Sequence, residues 1–216
     1  MKKVFLIAVG FFAFQAANAQ EDNSSYKPTV GTITTEVNLT GGLNNANFNL
    51  NGGGLKFRYF LKEDMALRVG LGLNSETSEV EMTTPVVATA TTKSSSNTIK
   101  LGIEKHFAGS DRLSTYAGAD LLIKMGNESE EGKYNNTTTK TEQKSSGFGV
   151  GLFTGADYYI VKKVYLGVEA GLSFMSNTLK DKETTTTGQP TITVPGNKGS
   201  NLATNVFGGV RIGYQF

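Results

Sequence analysis

The run VFGGVRIGYQF, residues 206–216, decides the fold. Val206, Val210, Ile212, Tyr214 and Phe216 fall at even positions, whereas Gly209, Arg211, Gly213 and Gln215 fall at odd ones. A period of two is the signature of a strand with unlike faces. One face is apolar and ends in aromatics. The other is largely glycine and carries a single arginine. A polar face exposed to water would bear long solvated side chains. One made of residues with almost no side chain suits a crowded interior, so the apolar face is expected to point outward.

Working outward from this run, the same alternation recurs in seven further segments. The first spans residues 32–40, with Ile33, Val37 and Leu39 on one side; the second shows Leu55, Phe57, Tyr59 and Leu61. The third shows Met65, Leu67, Val69, Leu71 and Leu73, and the fourth Ile99, Leu101, Ile103 and Phe107. Leu113, Ala117, Ala119, Leu121, Ile123 and Met125 mark the fifth; Phe148, Val150, Leu152, Ala156 and Tyr158 mark the sixth. The seventh carries Val164, Leu166, Val168, Ala170, Leu172 and Phe174, and the eighth reaches back to Leu202. Most segments run about 9–11 residues, the length that crosses a bilayer as a tilted strand.

The connections alternate in kind. Residues 62–64, 108–112 and 161–163 are short turns, whereas 41–54, 74–97, 126–146 and 176–200 are long and rich in Thr, Ser, Asn and Gly. Short turns on one side and long loops on the other is the asymmetry of transmembrane β-barrels. The expectation is therefore an all-β fold: an eight-stranded antiparallel up-and-down transmembrane β-barrel with short periplasmic turns and long extracellular loops. Tyr59, Phe107, Tyr158, Tyr214 and Phe216 sit at the predicted periplasmic ends of outward faces, Phe148 and Phe174 near the other end, as two aromatic girdles would. Lys105 is the charged residue that alternation turns toward lipid, near the periplasmic boundary where it can snorkel.

The N-terminus agrees with export. Lys2 and Lys3 precede an apolar run from Val4 to Phe14 and the small-x-small triplet Ala17-Asn18-Ala19, the pattern of a secretory signal peptide cleaved near Ala19. The expected organisation is a signal peptide at 1–19, a periplasmic segment at 20–31 and a barrel domain at 32–216. Without Lys2 and Lys3, 19 basic residues face the 19 acidic ones, so no global field exists to attract nucleic acid. The chain has no cysteine, which excludes a disulfide scaffold and a thiolate metal site.

On these residues the chain resembles the small outer-membrane β-barrel superfamily of OmpA transmembrane-domain and OmpX-like porin-family proteins. The most specific part is Val210, Ile212, Tyr214 and Phe216, which looks like the signal read by the barrel assembly machinery. In that superfamily a Gly usually stands five residues before the final aromatic, where this chain has Arg211. The resemblance implies the outer membrane of a Gram-negative bacterium, with outer-membrane lipid, lipopolysaccharide and the assembly machinery as partners.

Inside such a barrel, Glu36, Arg58, Arg68, Glu104, Asp157, Glu169 and Arg211 are predicted at one level near the periplasmic end. Eight strands enclose an interior just wide enough for side chains. These residues are therefore expected to form an ion-paired belt across the lumen, with Lys100, Asp120 and Lys124 above it and Tyr116, Phe153, Tyr165 and Phe207 filling space. If strand stagger sets them at different depths, they are separately hydrated instead. Enzymes among small outer-membrane barrels place His with Ser, Asp or Glu near the outer rim, but the single histidine, His106, adjoins a periplasmic turn. No catalytic residue, cofactor or metal ligand is expected. Glu76, Glu79, Glu81, Glu128, Glu130 and Glu131 read as solvated loop charges. Thr83 to Thr92, Thr137 to Thr141 and Thr184 to Val194 favour extended structure, which would continue the hairpins above the membrane and offer edges for a surface partner. A structural or adhesive scaffold, a narrow low-conductance porin and a soluble secreted ligand-binding barrel all remain open at this point.

Overall fold

The computed structural model describes residues 25–38, 54–83, 88–107 and 109–216, the side chains of 201–210 excepted. The expected signal peptide lies outside the described residues, as do the first long loop up to residue 53 and the side chains of Val206, Phe207 and Val210.

Among the described residues the chain is entirely strand and turn: β1 Ile33–Asn38, β2 Gly54–Lys62, β3 Met65–Met82, β4 Ala88–Phe107, β5 Leu113–Tyr134, β6 Thr137–Val161, β7 Val164–Thr186, β8 Ile192–Val194 and β9 Lys198–Gln215. Every pairing is antiparallel. Each strand from β1 to β7 pairs with the next, β7 pairs with β9, and β9 returns to β1, so the sheet is ring-like. The three-residue β8 pairs with β7 alone, through Lys182, Glu183 and Thr184. It is an addition to the eight segments that periodicity found, too short to show a period.

Alternation sets the two faces. From Phe148 to Ile160, β6 is exposed at Phe148, Val150, Leu152, Tyr158 and Ile160 and buried at Gly149, Gly151, Phe153, Asp157 and Tyr159. The buried side is the inside of the ring. The outer side carries Leu67, Leu101, Ile103, Leu152, Val168 and Leu172, and Leu152 is 65% exposed. Each such side chain forgoes about 1.5–3 kcal/mol when left in water. This surface therefore calls for an apolar surrounding. Glycines on the inner face make room for rings: a Cβ on Gly213 would enter the Tyr165 ring, and one on Gly118 would enter that of Phe153.

The long connections 74–97, 126–146 and 176–200 are mostly strand rather than loop, and the hairpin continuation expected only for their Thr-rich stretches extends over most of their length. β3 and β4 pair from Met65↔Lys105 out to Met82↔Ala88, and β5 and β6 from Leu113↔Tyr158 out to Tyr134↔Thr137. Hydroxyl bonds such as Thr139 to Thr186 (3.2 Å) and Thr141 to Thr184 (3.1 Å) tie β6 to β7 there. Low apolar content reads as loop in a sequence, but backbone pairing and β-branched Thr suffice to prolong a ladder whose base is already zipped.

At the opposite end the turns are tight, and Lys163 takes φ 70° at the β6–β7 reversal. The segment before β1 docks there: Gly31 N–H donates to Phe60 O (2.8 Å), Pro28 is buried, and the Arg112 guanidinium donates to Tyr26 OH at 2.7 Å. Lys105 is exposed on the outer face, as expected, and is paired with Asp64 of the β2–β3 turn.

Candidate functional site

The ring brings charged side chains from eight strands into one buried cluster: Glu36 from β1, Lys56 and Arg58 from β2, Arg68 from β3, Glu104 from β4, Asp120 from β5, Asp157 from β6, Glu169 from β7 and Arg211 from β9. Each lies on the inner face by the period of its strand. Arg58 is the hub. Its Nη1 donates to Asp157 Oδ2 at 2.6 Å and its Nη2 to Glu36 Oε1 at 3.2 Å. Its Nε lies 3.0 Å from Glu104 Oε1 without the alignment of a hydrogen bond, so that contact is electrostatic.

Arg68 clamps Asp120 with two bonds, Nε to Oδ1 at 2.7 Å and Nη2 to Oδ2 at 2.5 Å, and gives Nη1 to Glu169 Oε2 at 2.9 Å. Its guanidinium carbon lies 3.2 Å from the centre of the Phe153 ring, so the plane is stacked as well as bonded. Arg211 donates Nη1 to Glu36 Oε2 (2.8 Å) and Nη2 to Asp157 Oδ1 (3.1 Å) and Val168 O (2.8 Å). Lys56 donates to Glu169 Oε2 at 3.0 Å and pairs with Glu36. The Tyr116 hydroxyl joins two strands of the network, donating to Glu169 Oε2 (3.0 Å) and accepting from Arg211 Nη2 (2.5 Å).

His106 caps the cluster on the side of the short turns. Its Nε2 lies 3.0 Å from Glu104 Oε1, its Nδ1 lies 2.8 Å from Ser114 Oγ, and Phe60 and Tyr116 flank its ring. With Nε2 protonated and Nδ1 accepting from Ser114, the neutral imidazole satisfies both partners.

All seven residues singled out from the sequence for the lumen stand in this cluster. The structure departs from that reading in membership. Asp120, expected above the belt, is a direct partner of Arg68. Lys124, likewise expected above the belt, is exposed and takes no part. Lys100 lines a cavity of about 40 Å³ with Arg68, Asp120 and Glu169. Lys56 and Tyr116 belong to the network and were not assigned to it. Lys56 had a signal, since it precedes Arg58 by two residues and must share its face. The role of the Tyr116 hydroxyl had none, because it depends on which strands lie opposite. At the closing strand, Ile212 and Tyr214 are outward and exposed, and Tyr214 packs edge-on against Phe216 at 4.9 Å.

The chain has no cysteine, and among the described residues no group of His, Asp or Glu side chains is arranged to hold a metal. Each acid of the cluster is paired with arginine or lysine, Glu104 Oε2 only through a 3.6 Å contact with Arg68 Nη1.

The model of the putative OmpA-OmpF-like porin family matches residues 42–185. The chain belongs to this family. It is a small outer-membrane β-structured protein of the Gram-negative type, with a buried salt-bridge network inside its ring. No curated protein matches the sequence. Among solved structures, the chain is similar to the N-terminal β-barrel domain of Pseudomonas aeruginosa OprF, with 14% identity over 88% of this chain and 100% of that one and a TM-score of 0.33. It is similar to the attachment invasion locus protein Ail of Yersinia pestis, with 12% identity over 87% and 100% and a TM-score of 0.41. It is also similar to Acinetobacter baumannii CarO, with 13% identity over 87% and 97% and a TM-score of 0.35.

Proposed function

We propose that the protein is a closed, eight-stranded barrel spanning the outer membrane, plugged by its ion pairs, that works as a structural and adhesive scaffold for the sheet protruding above it. The observation that carries the reading is the ion-paired filling of the interior. Every strand of the ring contributes to one buried network, and a cavity beside it, lined by Arg68, Lys100, Asp120 and Glu169, holds about 40 Å³, roughly the space of a few waters at most. A continuous aqueous path would have to part Arg58, Arg68 and Arg211 from their carboxylates, and breaking a buried pair costs about 3–5 kcal/mol.

The span fits a membrane. From Tyr158 to Phe148 the outer face of β6 climbs ten residues, about 33 Å along the strand and about 25 Å once tilted, the height of an outer-membrane apolar band. The proposal includes a signal peptide at 1–19, a periplasmic segment at 20–31, and a barrel domain at 32–216. It also includes Val210, Ile212, Tyr214 and Phe216 as the strand read by the assembly machinery, and lipopolysaccharide as a neighbour in the outer leaflet. Surface partners would engage the protruding sheet, where β3 beyond Gly72 has no partner on its β2 side among the described residues.

The test is twofold. An unboiled band that pellets with membranes and changes mobility on boiling establishes the barrel; a soluble, unshifting band refutes it and favours a secreted ligand-binding barrel. Planar-bilayer recording then addresses the plug. Small or no conductance that rises in Arg68→Ala and Glu104→Ala supports it, and large stable wild-type openings refute it. The family's porin character favours the second reading, a narrow pore, which predicts small but steady wild-type conductance with solute permeation in liposome swelling.

A further inference from the structure

A cavity of about 590 Å³ opens on the outer face of β6, β7 and β9, just beyond the apolar band. Its charged lining is Lys144, Lys180, Lys198, Glu142, Asp181 and Glu183. A bulge makes it: Ser145 faces Leu179 and Gln143 faces Lys182, so β7 takes three steps where β6 takes two. Lys180 and Asp181 are thrown out opposite Lys144. Three bonds pin the bulge: Gln143 Nε2 to Lys180 O (3.1 Å), Leu179 N–H to Asn197 O (2.8 Å) and Gly196 N–H to Asp181 Oδ1 (3.1 Å).

Glu142 Oε1 is held by Lys140 at 2.5 Å, and Asp181 Oδ1 accepts the Gly196 N–H. The ammonium groups of Lys144, Lys180 and Lys198 make no hydrogen bond or ion pair among the described residues, although the Lys144 charge is felt by Glu142. Their height is also defined. Lys144 lies four residues beyond the outward, 57% exposed Phe148, and Lys198 pairs with Thr178, which pairs with Ser146. At about 3.3 Å per residue and the usual strand tilt, that puts them about 5–10 Å above the aromatic boundary, in the headgroup layer. Along the ladder row of Lys144, the neighbouring strands offer Asn127, Ser95 and Ser75, all uncharged. On that row Lys144 is the one charged side chain from β3 to β6.

We propose that Lys144, Lys180 and Lys198 form a site for the phosphate of an outer-leaflet glycolipid headgroup, seated in this cavity while the acyl chains lie against Phe148 and Phe174. The site rests on the reading that the chain spans the outer membrane. Clustered lysines beside a membrane attract anionic headgroups with about 1 kcal/mol each. Phe148 and Phe174 are both exposed on the same outer face directly below.

The test uses the full chain folded in zwitterionic detergent micelles, titrated with bisphosphorylated lipid A, with dephosphorylated lipid A and with inorganic phosphate, and followed by thermophoresis at low and high salt. Salt-sensitive binding of the bisphosphorylated lipid, weakened about tenfold or more by K144Q/K180Q/K198Q, is expected. Binding of inorganic phosphate alone should be far weaker, since it lacks the acyl contact. The variant K93Q/K133Q, on another sector, should bind like the wild type. Equal affinity for the two lipids, equal affinity in the triple variant, or inorganic phosphate binding as tightly as the lipid overturns the site. If the wild type shows no heat-modifiable, micelle-embedded form, the membrane reading fails and the site with it. An embedded protein with no phosphate preference refutes the site alone.

Discussion

The lower and upper halves of the long strands follow the same ladder and differ in what the ladder encloses. Below about Gly72, Thr98 and Phe148 the sheet is ring-like, and its inner face meets itself across a few ångströms. Charged residues there are buried and multiply bonded. Above, β3 to β7 continue without β1 and β2 among the described residues, both faces meet water, and ion pairs such as Lys140–Glu142 and Lys133–Glu131 are exposed. The same residue types are therefore structural in one half and little more than solubilising in the other. Burial decides which, because a charge that has lost its water depends on its partner and a hydrated one does not.

The sharpest way to break the comparison is Arg58→Ala. It takes one cationic partner from each of Glu36, Asp157 and Glu104, leaving the remaining arginines and Lys56 outnumbered by buried carboxylates, and should cost about 3–5 kcal/mol in urea unfolding from lipid vesicles. A loss of less than about 1 kcal/mol would mean that water already reaches these carboxylates. Next comes Gly213→Val, whose side chain would enter the space of the Tyr165 ring, with an expected loss of about 1–3 kcal/mol in the same assay. Gly132→Val, in the upper half with nothing within 4 Å of its Cβ, should leave the midpoint in place.

His106→Ala is expected to be milder, about 1–2 kcal/mol, because it unpairs one bond from Glu104 and one from Ser114. The smallest effect belongs to the upper half. Lys140→Ala with Glu142→Ala should not move the unfolding midpoint measurably, since both side chains are exposed. Its pH behaviour has a definite sign. The Lys140 hydrogen bond and then its charge hold the Glu142 carboxyl below its ordinary range. Any stabilisation from that carboxylate is thus present above the ordinary carboxylate pKa and lost as pH falls through the lowered one. The acid limb of the unfolding curve of the double variant should overlay that of the wild type.

Local pattern in the chain determined a good deal. Alternation separated a mostly apolar face from one of glycine, charge and a few rings, because side-chain direction in a strand follows from backbone geometry alone. It thereby identified Glu36, Arg58, Arg68, Glu104, Asp157, Glu169 and Arg211 as inward. Pairing was not legible. Whether Arg68 meets Asp120 or Glu104, whether Lys56 reaches Glu169, and that Tyr116 bridges Glu169 to Arg211 depend on the stagger between strands far apart in sequence. The continuation of the hairpins past residue 74, the β7 bulge and the addition of β8 were likewise settled by tertiary pairing. Register is a property of the hydrogen bonds between all neighbouring strands of the ring-like sheet, and no single strand contains it.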